Sequence, residues 1–157
     1  MGVKLTQQEV WEFIEAAQVG ILTTIRQSGW PVALPVWFTI ADEVVHTRTP
    51  ATAAKVKRLR ANPKCGFLVE SGESWGELAA VSIEATGKVL DWDLPEEAAE
   101  AEAAAAEIDR KYEGLRPHSD LLPDATKEHY RERVIIRLEP TGPMVSWDNR
   151  KIRLKGD

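Results

Sequence analysis

The chain has 157 residues, 43% of them hydrophobic and 29% charged, with a formal net charge of −5. That length suits one domain, 1–157, with a core of its own, and the composition excludes a disordered chain. The acidic balance argues against a general nucleic-acid binder, which needs surplus cations to neutralise phosphates. A single cysteine, Cys65, precludes an internal disulfide. No apolar run reaches membrane length and no signal-peptide pattern opens the chain, so a cytoplasmic protein with no membrane or nucleic-acid partner is expected.

In chain order, Thr6 and Glu9 have capping-box spacing, and residues 7–17 follow as a helix with Val10, Phe13, Ile14 and Ala17 on one face. Residues 20–25 read as a strand, Gln27-Ser28-Gly29 as a hairpin loop and residues 31–40 as a second strand. Pro35 inside that strand has no N–H, which places it at an edge, a bulge or a ligand-facing break. Residues 43–49 form a third strand, 52–61 a basic helix ended by Asn62-Pro63, and 64–70 a fourth strand. Residues 78–90 alternate strictly, with Val81, Ile83, Ala85, Gly87 and Val89 on one face, which predicts a long half-exposed strand. Pro95 opens an Ala/Glu-rich helix to about residue 112, expected to be a solvated helix on the flank of the sheet. A loop, a short helix over 125–131 and strands over 134–138 and 144–147 complete the chain. Strands joined mostly by short hairpins predict a mainly β, α+β fold: an antiparallel barrel with helices at its ends.

The most informative segment is 44–64. A Thr-rich strand end, Thr47-Arg48-Thr49, runs through a turn into a helix carrying Lys55, Lys57, Arg58 and Arg60. Free N–H groups and the positive end of the helix dipole there point toward an anion, and phosphate is the common one. Arg48, Lys55 and the helix N-terminus are the expected phosphate contacts; Lys57 and Arg60 are expected to face solvent. His46, His118 and His129 are scattered and lack a cysteine pair, so no metal site is expected. Cys65 opens an apolar strand and reads as packing. There is no Gly-rich nucleotide loop. Six tryptophans are many for this length; Trp37 follows Pro35-Val36, and Trp75 precedes Gly76, where a flat ligand can approach the backbone closely.

Gly20-Ile21-Leu22-Thr23-Thr24-Ile25, then Gly29-Trp30-Pro31, Pro35-Val36-Trp37-Phe38 and the strand–helix unit through Asn62-Pro63 resemble the pyridoxamine 5′-phosphate oxidase-like split-barrel flavoproteins. The Lys55-Val56-Lys57-Arg58-Leu59 form and the later Ala/Glu helix are similar to the actinobacterial flavin/deazaflavin oxidoreductase branch. The resemblance implies a homodimeric split β-barrel with cofactor sites at the subunit interface. It implies coenzyme F420, or alternatively FMN, and hydride transfer to a small unsaturated or conjugated substrate; a non-catalytic cofactor carrier is the third reading. Carried over by position, Pro35, Val36 and Trp37 would lie along the ring system, and Thr47, Arg48 and Thr49 along its edge and side chain. Ala54, Lys55 and Arg58 would hold the phosphate, and Trp75 and Gly76 would close the other side. Trp30, Trp37, Arg48 and Trp147 are candidates for orienting substrate. Lys57, Arg58 and Arg60 are candidates for the oligoglutamate tail of F420. Ser146-Trp147-Asp148-Asn149-Arg150 only partly echoes the substrate motif of the true pyridoxamine phosphate oxidases. No catalytic side chain is implied.

Overall fold

A computed structural model describes residues 3–155. Helix α1 (Gln7–Ala16) starts at the expected capping box: Glu9 N donates to Thr6 Oγ1, and Thr6 N donates to Glu9 Oε2 at 2.7 Å. Its apolar side places Val10 and Ile14 in the core.

Among the described residues eight strands follow, all antiparallel: β1 (Gly20–Ile25), β2 (Pro31–Val36), β3 (Phe38–Ala41), β4 (Val44–Pro50), β5 (Lys64–Ser71), β6 (Ala79–Val89), β7 (Arg133–Pro140) and β8 (Val145–Asp148). The sheet order is β2-β1-β5-β6-β7-β4-β3, with β8 also on β6. Strand β6 is long enough to pair β8 through Ala79–Ser82 and β7 through Ala85–Val89. Its alternation is as expected, with Val81, Ile83, Ala85 and Gly87 buried.

The single strand expected over 31–40 is two strands. The chain breaks at Trp37: β2 pairs with β1 at one edge of the sheet, and β3 pairs with β4 at the other. The sheet thus curls until its two edges are joined covalently through one residue, which is the split-barrel form. Pro35 lies on edge strand β2, where its missing donor leaves no gap in an interior ladder.

Inside the curl, Phe38 and Phe67 meet edge-to-face at 5.0 Å among Leu22, Val45, Ile83 and Leu138. Gly20 admits the Phe67 ring; a Cβ there would lie 2.2 Å from Phe67 Cζ. Helix α2 (Ala54–Ala61) closes one end with Val56 and Leu59. It begins two residues later than its sequence suggests, because Pro50 to Ala53 turn the chain off β4.

Helix α3 (Pro95–Lys111) is not the solvated flank expected from its composition. Ala101, Ala104 and Ile108 are buried against the outer face of the sheet with Ile135 and Leu90. Alanine's small size lets the helix approach the strands closely, and only the opposite side is solvated. A short helix α4 (Asp124–His129) leads into β7. Among the described residues no helix is long and apolar enough to cross a membrane.

Candidate functional site

Strand β4 is built with two faces. Val45, Thr47 and Thr49 point into the curl; His46 and Arg48 point toward α3. On β7, the cross-strand partners follow the same period. Arg137 stands opposite His46, Ile135 opposite Arg48, and Arg133 opposite Pro50. Helix α3 supplies carboxylates to this face. Glu100 accepts from Arg137 Nε and Nη2 at 2.8 and 2.7 Å, and His46 Nε2 lies 2.7 Å from its Oε1. A carboxylate only accepts, so that imidazole nitrogen carries the proton. The fork from Arg137 holds the Glu100 carboxyl down to about 2. Nine residues along the helix, Asp109 accepts from both terminal nitrogens of Arg48. That guanidinium holds the Asp109 carboxyl below its ordinary value.

Beyond this layer opens a cleft of about 830 Å³. Pro35, Val36 and Trp37 form one wall. Trp37 is fixed on two sides. Its ring stacks on Tyr112, with centroids 4.3 Å apart and planes 3° apart, and its carbonyl accepts from the buried Thr47 hydroxyl at 2.6 Å. Tyr112 in turn accepts from Phe38 N at 2.9 Å, so the wall is tied to α3 and β3 together.

The opposite part of the cleft is cationic. Arg48 and Lys55 line it, with Thr49 beside them. Arg116, Lys127 and Arg133 line it too, and nothing local in the sequence singles these out. The available signal was the period of β7, which puts Arg133 on the same face as Arg137 and Ile135. Burial, and then the charges of Arg48 and Arg133, push the Arg116 guanidinium below its ordinary value. Burial and then Arg48 do the same to Arg133. Burial, then Arg58, lowers Lys55. The Arg48 side chain is 8% exposed, and its Nε has no hydrogen-bond partner among the described residues.

The other expected site residues are placed elsewhere. Thr47 lies behind the wall and supports Trp37. Ala54 and Arg58 line a second groove of about 870 Å³ on the far side of α2, with Lys57 and Arg26. Arg58 Nε there donates to Thr24 Oγ1 at 2.8 Å. Arg60 is solvent-facing, and Lys57 is exposed along that groove. Trp30, Trp75 and Gly76 are exposed, as is Trp147 on β8, and none of them lines the cleft. Cys65 is packing: burial pushes its thiol up to about 11, and Sγ donates to Ala85 O. Among the described residues, no three His, Cys, Asp or Glu side chains gather as metal ligands.

A curled antiparallel sheet with helices packed on it defines an α+β split-barrel protein, and its cleft has an aromatic wall and a cationic end. The family model described as pyridoxamine 5′-phosphate oxidase matches residues 6–142, and the chain belongs to that family. No curated protein sequence matches it. Among solved structures, it is similar to the conserved hypothetical protein Rv2991 from Mycobacterium tuberculosis. Identity is 24%, the TM-score is 0.76, and 98% of this chain and 94% of that one are covered. It is also similar to a FAD-binding protein from Mesorhizobium loti, at 15% identity and TM-score 0.68, covering 91% and 93%. A third is an F420 reductase, at 21% identity and TM-score 0.61, covering 85% and 94%. At these identities the likeness is one of fold.

Proposed function

We propose that the protein is an oxidoreductase that binds coenzyme F420 and transfers a hydride between it and a small unsaturated or conjugated substrate. One observation carries this reading: the cleft joins the Pro35-Val36-Trp37 wall to Arg48, Thr49 and Lys55. Its volume falls within the range of cofactor clefts. The residues present suit such a group. Pro35 and Val36 give the wall apolar surface beside Trp37, whose ring Tyr112 stacks on and Arg116 overlies. The N-cap of α2, Ala53, makes no side-chain cap bond, leaving helix N–H groups available to a phosphate. Arg48 Nε is a buried donor in need of an acceptor.

When bound, the deazaflavin supplies the hydride chemistry. The chain's own residues hold, orient and exclude water. Trp37, braced by Thr47 and Tyr112, sets the plane of the wall. Lys55 and the start of α2 hold the phosphate. Among the described residues no carboxylate side chain lines the groove of Arg26, Lys57 and Arg58, which favours a polyanionic tail and hence F420 over FMN. The alternative, an FMN-dependent enzyme, leaves that groove unused. A homodimer accounts for the exposed Trp75 and Gly76, which would close the site from the partner subunit. A cytoplasmic location accords with a diffusible cofactor and a small substrate.

Titration of the protein with F420 and with FMN, followed by fluorescence, tests the reading. F420 is expected to bind more tightly than FMN. Tight FMN binding without an F420 response transfers the reading to FMN, and binding of neither sinks both. Substrate turnover separates an enzyme from a carrier, and sedimentation as a monomer removes the interface site. Lys55→Ala is expected to weaken cofactor binding by about 1–3 kcal/mol, the scale of a lost charge-assisted hydrogen bond.

A further inference from the structure

Asp109 lies outside every motif that pointed to the site, yet it is the carboxylate paired with Arg48 at the cationic end of the cleft. Both terminal nitrogens of Arg48 donate to it. Arg116 and Arg133 also act on it electrostatically, and all three arginines line the cleft. One negative charge thus faces three positive ones, two of them partly buried and mutually repelled through Arg48. The Asp109 side chain itself is 62% exposed, whereas that of Arg48 is 8% exposed. The carboxylate is therefore on the solvent side of this pair, and the guanidinium that lines the cleft is on the buried side.

The geometry points to Asp109 as an internal stand-in for the ligand's anionic group: it takes both terminal nitrogens of Arg48, leaves Nε without an acceptor, and competes with an incoming oxyanion for the same guanidinium. It is a specificity-setting residue, because an oxyanion must outbid a carboxylate that is already in place. A singly charged group gains little from the exchange. A doubly charged one, such as a phosphate monoester, gains from Arg116 and Arg133 as well. The inference rests on the reading of Arg48 as an anion contact, but not on the identity of the cofactor.

The probe is inorganic phosphate, titrated calorimetrically into the cofactor-free protein at fixed ionic strength. Asp109→Asn is expected to bind phosphate roughly three- to tenfold more tightly than the unaltered protein, the change expected when one opposing charge is removed near a partly screened site. Without phosphate its melting temperature is expected to fall, because three guanidiniums lose their counter-charge. With saturating phosphate the deficit is expected to close. Asp109→Glu keeps the carboxylate and should restore both values. In an Arg48→Gln background the Asp109→Asn gain should shrink to near unity, which places the effect at this pair. Phosphate affinity that is equal or weaker in Asp109→Asn, or undetectable in both proteins, overturns the inference. So does a gain that survives Arg48→Gln. If phosphate behaves as expected while neither F420 nor FMN binds, the functional proposal falls and the role of Asp109 stands. If a cofactor binds and phosphate is indifferent to Asp109→Asn, the reverse holds.

Discussion

The two faces of β4 are held by different physics. Its inner face sets Val45, Thr47 and Thr49 against the barrel interior, where shape and a satisfied hydroxyl decide stability. Its outer face sets His46 and Arg48 against carboxylates from α3, where pairing of charge decides it. The inner face is therefore expected to be nearly indifferent to salt and pH, and the outer face to respond to both. Neighbouring residues of one strand thus divide the work, one set fixing the wall of the cleft and the other fixing its charge.

The largest expected effect tests the inner face. Phe38 stands opposite Thr47 on β3, is fully buried and packs on Phe67. Phe38→Ala should cost about 3–5 kcal/mol in denaturant unfolding, at both low and high salt. A loss that depended strongly on salt would erase the distinction between the faces. Next comes the outer face. Glu100→Gln keeps the shape but strips the charge that Arg137 and His46 share, and should cost about 1.5–3 kcal/mol at neutral pH. Glu100 has a depressed folded value, about 2 against an ordinary 4.5. Its stabilisation is therefore fully present above pH 4.5 and is lost as pH falls toward 2. Melting temperatures should fall less steeply through that window in Glu100→Gln than in the unaltered protein, and parallel acid limbs would count against this. The smallest effect returns to the inner face. Thr47→Val removes the donor to the Trp37 carbonyl, at an expected cost of about 1–2 kcal/mol, with cofactor affinity falling alongside stability because the wall is loosened.

Local features were legible in the sequence and distant ones were not. The capping box at Thr6 and Glu9, the alternation of β6 and the strand–turn–helix of β4 and α2 each lie within one short stretch, so period and composition reveal them. Residues 31–40 read as one strand in which Pro35 signals an irregularity but not its place; the need to reach two opposite sheet edges sets the break at Trp37. Helix α3 was misjudged because alanine is both a good helix former and a small residue, and composition does not say which property is in use. Ala101 and Ala104 use the second. Arg116 and Arg133 reach the cleft from segments far along the chain, where neither forms a pattern with Lys55.

Trp37 has one more consequence. Of the six tryptophans, it is the one in the cleft wall, stacked on a tyrosine ring and 5.0 Å from the Arg116 guanidinium. The indole therefore doubles as an optical reporter: the share of emission lost in Trp37→Phe is the share expected to change when the cleft is filled, against the signal of the other five.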